Sequence, residues 1–510
     1  MRLSSIAKRT LSLLAATALM GVAPSAAIAA PKRPNVLLIM IDDLKPTLRS
    51  FGDSTAISPN IDRLAARGSR FEHAYANQAV CAPSRINLMT SRRSTSSGIY
   101  EFGMDLRDYI PNAVTLPQLF KNQGYVAESY GKVFHVGHNT HDDPASWSAP
   151  PVKDHVVEYL EQASTGGKPT REEALFNEVP VEGDVWRYAA TLGRGAAWES
   201  PDVADDAYAD GRTAARAAKR LGELKSSGEP FFLAVGFARP HLPFSVPKRY
   251  WDMYDPAKLP MPEFERLPDG APALAGKVGG EITAYTPVPP KGDAANYPQD
   301  LKRKLIHGYY AGVTYVDAQI GKVLDALDRE GLAKDTIVVL WGDHGWHLGD
   351  HGIWTKHTNF EQAVRQPLII AGPGAGRAGQ APAQIAETVN VYPTLVNLAG
   401  LKLPKGMQPI DGVDLTAALR DPARVLRPYA YHAYNRPGRI GQAIRTERYR
   451  LVRWVPDAGG QQIYELYDLQ ADPGETRNMS DALPKVRAEL ERYLDAQPKP
   501  LPMRRLANAK

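Results

Sequence analysis

The sequence predicts an α/β protein: a large, mostly parallel sheet flanked by helices, followed by a smaller α+β domain with an antiparallel sheet. Three observations predict it. Pro34–Ile41, Phe231–Phe237 and Thr336–Trp341 are continuous apolar runs rich in β-formers, the pattern of strands buried on both faces. Helical patterns separate them, the longest over Leu301–Glu330, with Leu305, Tyr309, Val313, Val316, Ile320, Val323, Leu324 and Leu327 on one stripe. Beyond about Pro428 the chain changes to short strand patterns at Tyr429–Tyr434, Gln442–Ile444, Tyr449–Trp454 and Gln462–Leu466, closed by a helix near Leu483–Leu494.

The elements follow in order. Arg2, Lys8 and Arg9 precede an apolar run, Leu11–Val22, and the small residues Ala27-Ile28-Ala29, the pattern of a secretory leader over residues 1–29. That run falls short of the ~20 residues that span a bilayer. No later stretch is long and apolar enough to do so, and stable membrane insertion is not expected. The expected location is exported, periplasmic or secreted. A main domain is expected over 30–425 and the smaller domain over 426–510. Ser58 is the expected N-cap of a helix to Arg67, with Pro59 at the first position and Gly68 closing it. Further helices are expected over Pro83–Arg92, Thr115–Asn122, Asp202–Leu224 and Val389–Ala399, and strands over Tyr125–Tyr130 and Pro367–Ala371. Pro256–Pro298 is proline-rich and irregular, and loops of that length inside a domain are usually functional or mobile.

The formal net charge is +5, of which the leader supplies three cations and no acids. The remainder is too close to neutral to argue for a nucleic-acid partner, and none is expected. Three of the buried strands end in polar clusters: Asp42-Asp43, then His241 just past Phe237, then Asp343-His344. Sites of open α/β sheets form outside the carboxyl ends of strands, so the three can converge. Carboxylates with one imidazole suit a hard divalent cation such as Ca²⁺, while the multiple His or Cys of a dedicated zinc site are missing.

Cys81 is the only cysteine, without a partner for an internal disulfide, and it lies at the start of an expected helix, where unpaired N–H groups favour an anion. Cys81-Ala82-Pro83-Ser84-Arg85, continued by Leu88, Met89 and Thr90, resembles the signature of the sulfatase family, in which a maturation enzyme oxidises the cysteine to formylglycine (3-oxoalanine) while the chain is unfolded. Asn35–Pro46, Gly131-Lys132-Val133-Phe134-His135, Arg239–Pro247 and Asp343–Lys356 resemble further blocks of the family in the same order. Pro240-His241-Leu242-Pro243-Phe244 and Asp343-His344-Gly345-Trp346 point to the iduronate-2-sulfatase branch. Ser91 departs from the Gly usual in the family and bears on the conversion of Cys81.

The resemblance implies an alkaline-phosphatase-like sulfatase fold and a set of roles. Asp42, Asp43, Asp343 and His344 would bind Ca²⁺ together with the residue made from Cys81. Arg85 and Lys132 would hold the hydrated aldehyde, His135 would be the base that breaks the sulfated intermediate, and His241 and Lys356 would contact the sulfate. Trp346, His351, Arg436 and Arg439 are substrate candidates, Trp346 as a platform for a sugar ring and the arginines for a second anionic group. The implied activity is calcium-dependent hydrolysis of sulfate monoesters on a saccharide. Two alternatives stay open: a phosphonate or phosphate ester hydrolase of the same superfamily, and a glycan-binding protein in which Cys81 is unconverted.

Overall fold

The computed structural model describes residues 33–135, 137–176, 184–290 and 296–504. The expected leader lies outside them. From Arg33 on, the described residues form one compact unit.

Six strands make the main sheet: β1 (Asn35–Ile41), β2 (Gly68–Phe71), β3 (Val126–Gly131), β4 (Phe231–Phe237), β5 (Thr336–Gly342) and β6 (Leu368–Ala371). Their spatial order is β2-β6-β5-β1-β4-β3. Strands β5, β1, β4 and β3 are mutually parallel, and β6 runs against both of its neighbours. The sheet is thus mostly parallel, as its apolar runs predict.

Strand β1 shows why those runs are continuous. Leu37, Ile39 and Ile41 enter one core, with α4 (Ala209–Ser227) and α5 (Gln299–Arg329). Val36, Leu38 and Met40 enter a second core on the other face, shared with α2 (Cys81–Thr90), α3 (Leu116–Asn122) and α6 (Val391–Leu398). All six side chains are fully buried, each contributing about 1.5–3 kcal/mol on transfer from water.

Helix ends depart from the sequence reading where distant groups replace local caps. Ser58 does precede α1 (Pro59–Arg67), but its hydroxyl donates to Asp62 and accepts from Arg49 N at 3.1 Å rather than capping the helix. The free N–H groups of Asn60 and Ile61 go instead to the Asp317 carboxylate on α5, at 3.1 and 2.8 Å. Gly68 closes α1 as expected, its N–H on Ala65 O, but in an extended conformation that begins β2 rather than in a left-handed turn. Helix α4 starts at Ala209 rather than Asp202, because Asp205–Ala207 form a separate turn whose Asp205 side chain binds Tyr250 and Lys322. By contrast, Thr115 caps α3 in a full capping box with Gln118.

The second sheet is an antiparallel meander of β7 (Tyr429–Arg436), β8 (Arg439–Thr446), β9 (Tyr449–Pro456) and β10 (Ile463–Asp468), backed by α7 (Pro484–Asp495). It is tied to the preceding chain by buried ion pairs. Glu361 accepts from Arg445 Nε at 3.0 Å and from Arg450, and its own N–H donates to Glu475 at 2.7 Å.

Glu465 on β10 is buried and accepts from Trp454 Nε1 at 2.6 Å and from the Tyr467 hydroxyl. Removal from water raises its pKa to about 7. An unfolded Glu titrates near 4.3, so the folded form holds this proton more tightly. The contribution to stability is full below the unfolded pKa and disappears as pH rises through about 7. Wild-type protein is therefore expected to lose on the order of 3 kcal/mol between about pH 4.3 and 8 from this group. The Glu465→Gln variant should lack that component in urea melts across the same range, and equal slopes for the two proteins would refute the assignment.

Candidate active site

Four segments leave the carboxyl ends of the adjacent strands β5, β1, β4 and β3: Asp343-His344, Asp42-Asp43, Arg239–His241 and Lys132–His135. Backbone pairing continues past the strands, Asp343 N donating to Ile41 O at 3.0 Å and Asp42 N to Phe237 O at 3.2 Å, which holds the carboxylates side by side. Strand β4 has glycine at 236 for a specific reason. A Cβ there would lie 1.9 Å from Lys132 O, so only glycine lets the β3 exit turn approach.

Helix α2 faces these strand ends. Cys81 is its first residue, two positions earlier than expected, and all ten residues of the helix are buried. Arg85, one turn on, has no exposed surface and bridges the carboxylates. Its Nε donates to Asp343 at 3.0 Å, Nη2 to Asp42 at 2.9 Å and Nη1 to the carbonyls of Lys132 and Val133. Lys132 Nζ donates to the other Asp42 oxygen, and Lys356 Nζ to both Asp43 oxygens at 2.9 and 3.0 Å. Asp42, Asp43 and Asp343 each place an oxygen within 4.8 Å of the others. Cys81 Sγ lies 3.3 Å from His344 Nε2 and 4.0 Å from Asp43 Oδ1.

Burial and charge set the protonation states. Burial raises the pKa of Asp42, but Lys132, His241 and Arg85 outweigh it and hold the carboxyl well below its usual range. Burial, with Asp42 alongside, lifts Asp343 to about 7, and burial also raises Asp43. Burial and then Asp42 push the Cys81 thiol up, reversing what the helix terminus alone would do. Burial lowers His344 to about 4, leaving a neutral ring. With Nδ1–H on Gly345 O at 3.0 Å, His344 turns the Nε2 lone pair toward Cys81 and the carboxylates. Asp42, Asp43 and Asp343 bring three buried acidic oxygens together, and His344 joins Asp43 and Cys81 in an overlapping group; carboxylates with one imidazole are the donor chemistry of a hard divalent cation, and the set fits one.

The sulfatase family profile matches residues 34–401, and a profile described as N-sulphoglucosamine sulphohydrolase, C-terminal, matches 349–499. The chain belongs to the sulfatase family. This sulfatase is 35% identical to iduronate 2-sulfatase of Homo sapiens over 87% of this chain and 90% of that protein, and it belongs with that branch. Among solved structures it resembles the phosphonate monoester hydrolase of Agrobacterium radiobacter (TM-score 0.70, 24% identity, 91% of this chain and 95% of that one). It also resembles a protein in complex with its substrate D-glucosamine-2-N,6-O-disulfate (TM-score 0.66, 22% identity, 92% and 99%). These structures share its alkaline-phosphatase-like fold. The protein is a sulfuric ester hydrolase.

Of the expected site residues of this sulfatase, Asp42, Asp43, Cys81, Arg85, Lys132, His241, Asp343, His344 and Lys356 lie in one hydrogen-bonded or ion-paired cluster. His135 is buried beside it, its ring 4.8 Å from Phe102 and 5.2 Å from His138. Burial, with Lys132 adding to it, lowers its pKa well below the usual value, so the ring is neutral.

The four substrate candidates are placed differently. Trp346 is buried in the core, its ring face 5.1 Å from Lys356 Nζ, and offers no platform to a sugar. His351 stacks on Phe360 at 4.2 Å and bonds the Gly474 carbonyl at 2.8 Å, joining the second sheet's connecting loop to the main body. The Arg436 guanidinium is spent on the carbonyls of Leu274, Gly276 and His357. Arg439 bonds Gln461 O and, with Arg436, lines an open cavity of about 1100 Å³ whose lining includes none of the catalytic cluster.

Two residues of the site escape sequence reasoning. Tyr309, read only as part of an apolar stripe, donates its hydroxyl to Asp43 O at 2.7 Å and fixes that backbone. Glu281 comes from the irregular 256–298 stretch. Its carboxylate bonds His241 Nε2 at 2.9 Å and Lys356 Nζ at 3.0 Å. The length of that loop signalled function, but nothing in its composition singles out one acid.

Proposed function

We propose that this sulfatase hydrolyses sulfate monoesters on a saccharide, using Ca²⁺ and a formylglycine made from Cys81, in an exported compartment. The observation that carries the reading is a cluster beside the single cysteine in which Arg85, Lys132 and Lys356 hold three carboxylates and the neutral His344 ring faces the thiol. Similarity to an iduronate 2-sulfatase favours a sulfated uronic acid or a related polysaccharide fragment. No helix among the described residues is long and apolar enough to cross a membrane, which is compatible with export by a leader.

Asp42, Asp43, Asp343 and His344 would hold the cation, which would act as a Lewis acid on a sulfate oxygen. The hydrated aldehyde would supply two hydroxyls on one carbon, one to attack sulfur and one to let the sulfate leave. Arg85 and Lys132 surround that carbon with fixed positive charge, aimed where negative charge builds up. Asp343 would take the proton of the attacking hydroxyl. Neutral His135 takes the second proton. Lys356 and His241, ion-paired with Glu281 and Asp43, would orient the ester oxygens, and one of them would protonate the leaving alcohol. Cys81 has no exposed surface in the folded protein, which supports its conversion by a maturation enzyme before folding.

The test is a mass spectrum of the tryptic peptide Phe71–Arg85 from the native host. A mass matching aldehyde in place of thiol is expected. An unmodified thiol in protein from its own compartment would remove the nucleophile and favour the glycan-binding alternative.

A further inference from the structure

Glu281 stands out as an acid pressed against the two cations assigned to the sulfate. Its segment is not loose. Ile282 and Tyr285 are buried, and Thr286 pairs with the chain at residues 195–197 through Thr286 N to Gly195 O (2.8 Å) and Ala197 N to Thr286 O (2.7 Å). Arg194 Nη1 holds the carbonyls of Thr283, Tyr285 and Val288 at 2.8–3.2 Å. Gly280 has φ +99°, and a side chain there would meet Thr355, next to Lys356, at 3.3 Å. The carboxylate is thus a fixed charge, mostly buried, within 2.9–3.0 Å of both His241 and Lys356.

A sulfate monoester carries one negative charge. Its inorganic product and a phosphate monoester carry two near neutral pH. A fixed anion beside the seat repels a dianion about twice as strongly as a monoanion, and in a desolvated site that difference is large. We propose that Glu281 is a specificity-determining residue that admits monoanionic esters and disfavours dianions, so that sulfate leaves and phosphate monoesters are refused. This rests on the assignment of His241 and Lys356 to the sulfate.

The test uses the mature, calcium-loaded protein and two probes, methyl sulfate (monoanion) and inorganic sulfate (dianion), titrated calorimetrically into wild type, Glu281→Gln and Glu281→Asp. In Glu281→Gln, inorganic sulfate is expected to bind about tenfold tighter or more, with methyl sulfate changed by less than about threefold. Glu281→Asp, which keeps the charge, is expected to keep the wild-type ratio. Equal changes for the two anions in Glu281→Gln, as a damaged fold would give, or no change for either, overturn the inference. Binding of neither anion to any of the proteins overturns the anion seat itself. Absence of sulfate release from every sulfated saccharide would defeat the functional reading without altering these constants.

Discussion

Asp43→Asn is expected to abolish sulfate release while leaving the fold intact. The backbone of Asp43 is held independently of its side chain, its N–H by Asp343 Oδ1 at 2.9 Å and its carbonyl by the Tyr309 hydroxyl. The substitution keeps the shape but removes a full negative charge and turns an NH₂ toward Lys356 Nζ or toward the metal position. On the proposed reading, a cation held by three carboxylates would lose one of them, and the reacting centre would lose a fixed electrostatic partner. Single removals of such partners cost about 10²–10³ in kcat, and the loss here should reach at least that. Sulfate release measured beside the melting temperature with and without added Ca²⁺ checks it. The variant should melt near the parent in chelator and gain less from calcium. Near-normal release would sink the metal assignment.

Arg85→Ala is expected to be the most destabilising single change in the site. Arg85 has no exposure and neutralises Asp42 and Asp343 from the same guanidinium while satisfying two carbonyls. Truncation leaves two carboxylates in the interior without that partner, a situation that costs about 3–5 kcal/mol. The loss should be smaller at about pH 5 than at about pH 8, since an orphaned carboxylate escapes its penalty by taking a proton. Arg85→Lys should recover only part, because an ammonium lacks the planar fork that reaches both acids and both carbonyls. Urea denaturation of the three proteins at the two pH values makes the comparison. A parent-like Arg85→Ala would show that Lys132 and Lys356 alone balance the cluster.

The elements most legible in the sequence were those whose environment is uniform. Asn35–Ile41 and Phe231–Phe237 are apolar without interruption because both faces of the sheet are covered, and the runs end where the backbone meets the polar site. Asp42, Asp43, Asp343 and His344 were visible for the same reason: polarity that begins abruptly at the end of a buried strand marks the edge of the core, where a site can form. Helix starts were less legible where Asp317 or an isolated turn, far along or just ahead in the chain, took the part of a local cap.

The substrate candidates behave differently. Trp346 and His351 sit in the segment between His344 and Lys356, and Arg436 on β7, yet their side chains are committed to Lys356, to Gly474 and to loop carbonyls. Sequence proximity to a catalytic block says that a residue is near, not which way its side chain turns.

Residue types and their spacing along the chain determined the fold class, the strand ends and the acid and base groups, because hydrophobic periodicity and abrupt polarity are local properties. Which of those groups touch was decided by the tertiary structure. Glu281 on His241 and Lys356, Arg85 between two strands' carboxylates and Tyr309 beneath Asp43 are pairings between residues dozens to hundreds of positions apart. Contacts of that kind depend on the packing of the whole sheet and its helices, which no local pattern encodes.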